Sequence, residues 1–165
     1  MNLKRLISVL LLLSIILIHF LPYSLKGKIE LRFTSEGILK ITHLYLNISS
    51  IYIHKAETGD YGWVSLSNNP LILDLASKNT SKIIVSSLNT GFYDSLKITI
   101  KNCSFIYNGN ETINNVRIQE MNLKIDTKLL IKINEKSSCI IKFIINEEEI
   151  IASKSFKPKV NLIVS

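Results

Sequence analysis

His43-Leu44-Tyr45-Leu46-Asn47-Ile48-Ser49-Ser50-Ile51-Tyr52-Ile53-His54 alternates apolar and polar side chains with a single break. Leu44, Leu46 and Ile48 fall on one face, and His43, Tyr45 and Asn47 on the other. A period of two marks a strand with one face buried. At Ser49-Ser50 the phase slips by one residue, and Ile51 and Ile53 become the inward pair. Unrelieved, such a slip turns every later apolar side chain toward solvent. The stretch therefore predicts one long strand carrying a β-bulge. Glu57-Thr58-Gly59-Asp60 ends it as a turn.

The same period recurs on both sides. Ile29, Leu31 and Phe33 alternate with Glu30, Arg32 and Thr34. Trp63, Val64 and Leu66 form a short strand, with Trp63 expected in the core, and Asn68-Asn69-Pro70 is a turn. Residues 71–76 read as one helical turn or a strand. Leu96, Ile98 and Ile100 alternate with Lys97, Thr99 and Lys101, and a second phase change precedes Cys103, Phe105 and Tyr107. Residues 116–118, then Leu129, Ile131 and Ile133, then Cys139, Ile141, Phe143 and Ile145 continue the pattern. Asn146 with Glu147, Glu148 and Glu149 reads as a solvated hairpin tip. Val160, Leu162 and Val164 form a last strand, with Pro158 just before it, where a missing N–H is tolerated. No helical period of ten residues occurs after residue 25. This predicts a mainly β chain: an antiparallel β-sandwich of immunoglobulin or transthyretin type over residues 26–165, preceded by one N-terminal hydrophobic helix.

Residues 1–25 read as a signal peptide or an N-terminal membrane anchor. Lys4 and Arg5 precede an apolar run over residues 6–23, broken only by Ser8, Ser14 and His19. Eighteen helical residues reach about 27 Å, just short of a hydrocarbon core of about 30 Å. The leading positive charge keeps that end inside, so the rest is exported. Small residues suited to a cleavage site are sparse, which favours an uncleaved anchor over a secreted product. The expected location is extracytoplasmic, attached to the cell membrane.

Cys103 and Cys139 are the two cysteines, and both lie in the exported part. An even pair in an oxidising compartment reads as a disulfide, worth about 4 kcal/mol for a loop of this length; two buried free thiols are the alternative. Sequons begin at Asn47, Asn79, Asn102 and Asn110. Asn79 and Asn110 lie in expected loops and are the better glycosylation candidates, followed by Asn47; Asn102, in a strand beside Cys103, is the poorest.

The sequence contains no nucleophile elbow, HExxH, phosphate-binding glycine loop or calcium loop. No catalytic residue, metal ligand or cofactor is therefore expected, and the chain reads as non-enzymatic. The exported part carries a net charge of about +5, with lysines scattered rather than clustered. A nucleic-acid surface needs a dense basic patch with stacking aromatics, so no nucleic-acid partner is expected. The outward side chains His43, Tyr45, Asn47 and Tyr52 form a candidate polar-aromatic binding face; the plainer reading is the solvated side of a sheet.

Leu88-Asn89-Thr90-Gly91-Phe92-Tyr93-Asp94-Ser95-Leu96-Lys97-Ile98 resembles the L-x-x-G-x-Y-x-x-L/I-x-I signature of a secreted prokaryotic family known as domain of unknown function 4382. Ile51-Tyr52-Ile53-His54, Trp63-Val64-Ser65-Leu66 and Ile72-Leu73-Asp74-Leu75 fit the same order, and the resemblance spans residues 38–164. It implies a β-sandwich on exported proteins, often lipoproteins, with no assigned activity. It also implies that Gly91 supplies a turn of unusual φ and that Tyr93 is a corner tyrosine tied to backbone. The chain departs from the family in lacking a lipobox cysteine and in carrying Asn89-Thr90 where the family has Pro-Ala.

Two functions follow as expectations. The first is a membrane-anchored cell-surface binding or adhesion domain for a glycan or protein. The second is a homo-oligomeric filament subunit in which residues 28–34 complete a neighbour's sheet by β-strand addition.

Overall fold

The computed structural model describes residues 7, 11, 12, 14, 25–77, 83–107 and 112–164. Their order is β1 (Lys26–Glu36), β2 (Ile41–Lys55), a 3-10 turn (Gly59–Tyr61), β3 (Trp63–Ser67), β4 (Leu71–Asp74), β5 (Ile83–Asn89), β6 (Gly91–Tyr107), β7 (Asn114–Ile118), β8 (Asn122–Ile131), β9 (Lys136–Ile144), α1 (Glu147–Ser153), β10 (Ser155–Phe156) and β11 (Lys159–Val164). Most of the membrane segment predicted over residues 6–23 lies outside the described residues, as do Asn79 and Asn110. Among the described residues no helix is long and apolar enough to cross a membrane.

The strands form two sheets. The smaller runs β11-β9-β1-β5, and the larger β10-β7-β6-β2-β3, with β4 also on β2 and β8 also on β6. The long strand β2 is the spine of the larger sheet, and its bulge lies where the sequence placed it. Asn47 pairs with Asn102, Ile48 with Ile100 and Ser50 with Thr99, so Lys101 and Ser49 are each passed over. The slip keeps Leu44, Leu46, Ile48, Ile51 and Ile53 all buried. The second phase change, at Lys101-Asn102 in β6, likewise returns Cys103 and Phe105 to the core. Both sheets contribute to one apolar cluster, with Ile29, Leu31 and Phe33 of β1 and Ile141 and Phe143 of β9 meeting the β2 and β6 side chains.

The sheets are mixed, where the sequence reading expected wholly antiparallel ones. β1 runs parallel to β9, from Lys28 opposite Lys136 to Glu36 opposite Ile144, and β10 runs parallel to β7. Alternation reports which face of a strand is buried but not which way its neighbour runs. β1 is central, held on its other edge by β5. Its one buried acid, Glu30, is held by Lys136 Nζ at 2.7 Å and Arg32 at 2.6 Å. These hydrogen bonds, that of Lys136 foremost, hold the carboxyl below its ordinary value.

The expected hairpin tip at residues 146–149 is instead a helix N-terminus. Asn146 caps α1, its side chain accepting from the Glu149 N–H at 3.3 Å. Glu147 turns inward, and its Oε2 accepts the backbone N–H groups of Leu39 and Lys40 at 2.8 Å each and of Ile41 at 3.2 Å. A seven-residue helix is too short to show a period, which is why three successive glutamates read as a turn. Ile133, expected inward, is exposed in the β8–β9 turn, because β8 ends at Ile131.

Gly91 has φ of 135°, a conformation that disfavours any Cβ, at the corner where β5 becomes β6. Tyr93 is buried two residues on, and its hydroxyl donates to the Asn89 carbonyl at 2.9 Å.

Cys103 and Cys139 are free, buried thiols, in place of the predicted bond. Cys103 lies on β6, opposite Leu46 and Val116, in the larger sheet. Cys139 lies on β9, opposite Leu31, in the smaller one. Each fills its own strand's place in the core as a small apolar side chain. Burial pushes the Cys103 thiol up to about 12 and the Cys139 thiol up to about 11.

Candidate functional site: the outward face of the larger sheet

The bulge that keeps the isoleucines inward also keeps His43, Tyr45, Asn47 and Tyr52 on one outward face. The structure divides them into two clusters along β2. In the first, the His43 and Tyr45 rings stack at 5.4 Å and within 4° of parallel. His43 Nδ1 lies 2.7 Å from Asp74 Oδ2. Asp74 is itself fixed, since its Oδ1 accepts the N–H groups of Leu44 at 3.1 Å and Ala76 at 3.2 Å. The His43 ring is half-exposed, with Nδ1 turned to this carboxylate.

Asn47 sits between the clusters, opposite Asn102 on β6 and Ile72 on β4. Its Oδ1 is buried and has no hydrogen-bond partner among the described residues. As a glycan acceptor it is half-buried on a central strand. Asn102, the poorest candidate by sequence, is the more exposed of the two.

The second cluster lies past the bulge. The Tyr52 hydroxyl is 3.5 Å from Asn68 Oδ1, which also accepts from the Ser65 hydroxyl at 2.7 Å. Lys97 is opposite Tyr52, with its ammonium 5.9 Å from the Trp63 ring centre. Trp63 is half-buried against the His54 ring at 5.0 Å, on the outward face and not in the core as expected.

His54 is largely covered, its side chain only 14% exposed. Both ring nitrogens face oxygen acceptors: Nε2 the Gly59 carbonyl at 2.6 Å and Nδ1 the Asp94 carboxylate at 2.7 Å. Both partners are acceptors, an arrangement that favours the doubly protonated ring. The Gly59 carbonyl first, and Asp94 second, raise its pKa above 6.5. The His54 hydrogen bond in turn holds the Asp94 carboxyl below its ordinary value. His54 thereby locks the 3-10 turn onto the sheet and sets the tilt of Trp63.

Sequence reading missed Trp63, Lys97, Asn68 and Asp74 as members of this face. The one available signal was the outward Tyr52-x-His54 pair at the end of β2, with an aromatic opening the next strand. Among the described residues no three His, Cys, Asp or Glu side chains converge as metal ligands. The face presents flat aromatic rings, amides and an imidazole beside a carboxylate.

No protein-family model matches the chain, so the likeness to domain of unknown function 4382 rests on the residues quoted above. No curated protein matches it. Among solved structures, a candidate cell adhesion protein from Bacteroides fragilis is similar at 12% identity with a TM-score of 0.39. The likeness covers 86% of this chain and 45% of that one, so this chain spans under half of that protein's length.

Proposed function

We propose that this is a membrane-anchored, non-enzymatic, cell-surface binding domain of the β-sandwich class, which presents the β2 face of its larger sheet to an extracellular glycan or protein. The observation that carries the reading is the fixed His43–Tyr45 stack, braced by Asp74 on the same face as Tyr52 and Trp63. Rigid aromatic rings flanked by amides suit a ligand with both apolar and hydroxyl surfaces, and they lose little conformational entropy on binding. The apolar run over residues 6–23, followed within three residues by β1, supports attachment to the membrane.

The filament reading fits less well. Ile29, Leu31 and Phe33 of β1 are core residues, the first two paired on both sides and Phe33 with β9 within their own chain. Donating residues 28–34 to a neighbour would open that core. The test is a glycan-array and surface-protein screen with the full chain in detergent, repeated with Tyr45→Ala and Tyr52→Ala. The proposal expects both variants to lose the bound ligand while keeping the wild-type unfolding midpoint. Binding unchanged in both variants would refute it.

A further inference from the structure

The end of the domain where β1 begins gathers three chain segments by backbone pairing. The Leu25 carbonyl accepts from Thr90 N–H at 2.9 Å, and the Lys26 carbonyl from Asn134 N–H at 3.0 Å. Gly91 pairs with Ile131 and Phe92 with Leu130. This end exposes apolar side chains that nothing among the described residues covers: Leu25 is 46%, Phe92 64% and Ile133 48% exposed. Beside them is a cleft of about 520 Å³ lined by Lys26, Lys28, Ser87, Asn134, Glu135 and Lys136. Lys136 is held by Glu30 and Lys132 by Glu135, whereas Lys26 and Lys28 have no ion-pair partner among the described residues.

Chain length says what lies against this end. The apolar run ends at Tyr23, and Leu25 is two residues on. Two residues span at most about 7 Å, comparable to the headgroup layer on each side of a bilayer, roughly 5–7 Å. The run, at about 27 Å, is also slightly short for the hydrocarbon core, and a short span draws its flanking residues inward.

We infer that this end of the domain is seated in the phospholipid headgroup layer, with Leu25, Phe92 and Ile133 entering it and Lys26 and Lys28 meeting anionic lipid phosphates. The inference rests on the anchored reading above and adds a second contact to it. Apolar side chains gain from the acyl boundary, and lysines are drawn to an anionic surface. The seating fixes the orientation of the domain, with the residue 37–40 turn at the far end of β1, about 35 Å away at strand rise.

The test uses the full chain reconstituted in vesicles of phosphatidylcholine and phosphatidylglycerol. An environment-sensitive dye is attached at Ile133→Cys, at Phe92→Cys or, as the distal control, at Leu39→Cys; Leu39 is 91% exposed. The native cysteines are buried, and unsubstituted protein controls for their labelling. Leu25→Cys stands in for any variant that fails to fold. The expected result is blue-shifted emission at positions 133 and 92, severalfold less quenched by aqueous iodide than at 39, with the shielding reduced by Lys26→Gln/Lys28→Gln. A chain that floats with the vesicles while 133 and 92 quench as fully as 39 overturns this inference alone. A chain that does not float overturns the anchored reading and this inference together.

Discussion

Glu147 Oε2 lies 2.8 Å from the backbone nitrogen of Lys40, 107 residues away in sequence. With Leu39 and Ile41 it forms a three-donor cradle that fastens α1 to the turn between β1 and β2. Glu147→Ala is predicted to leave three donors without this acceptor and to destabilise the domain by about 2–4 kcal/mol. Urea unfolding at neutral pH checks it.

The same group gives an acid dependence. Burial works to raise the Glu147 carboxyl, but the N–H groups of Lys40, Leu39 and Ile41 outweigh it and hold it below its ordinary value. The unfolded chain therefore takes up the proton first as pH falls. The stabilisation is full above the unfolded value and is lost as pH drops through the folded one. The wild-type urea midpoint should fall across the acid range more steeply than that of Glu147→Ala.

His54 acts with the opposite sign. Its folded pKa is raised above 6.5 by the Gly59 carbonyl and Asp94. Its contribution is full below the unfolded value and is lost as pH rises through the folded one. His54→Gln should flatten the decline in stability above neutral pH. It should also shift Trp63 emission, because the ring that sets the tryptophan's tilt is gone.

At the corner, Tyr93→Phe removes the hydroxyl that satisfies the Asn89 carbonyl and should cost about 1 kcal/mol. Gly91→Ala places a Cβ at φ of 135° and should cost about 1–3 kcal/mol. Thermal melts of the two variants check both values. Equal stability of Gly91→Ala and wild type would contradict the corner geometry.

Buried thiols with raised pKa values are poor nucleophiles. Native protein should react negligibly with a thiol reagent, and protein unfolded without reductant should yield two thiols per chain. No thiols on unfolding would mean a Cys103–Cys139 bond that this structure lacks.

The fold was legible where burial alone determines the pattern. Leu44, Leu46, Ile48, Ile51 and Ile53 had to share one face, so the bulge at Ser49 could be placed from sequence. The corner at Gly91 and Tyr93 came from the resemblance of residues 88–98 to a family signature and not from alternation. The parallel pairing of β1 with β9 was not, since strand direction leaves no trace in alternation. Glu147 was not legible because its partners are backbone donors more than a hundred residues away. On the candidate site, the His43–Tyr45–Asn47–Tyr52 row could be read from period two. Trp63 and Asp74 could not be assigned to it, because they join through pairing with β2. The cover over His54 was not legible, because alternation cannot show the turn that folds back over it.

The most direct test of the account is intact-mass spectrometry of the native protein purified from membranes. A surface domain held by residues 6–23 predicts an N-terminus at Met1 or Asn2. A mature chain beginning between Leu25 and Lys28 would contradict it.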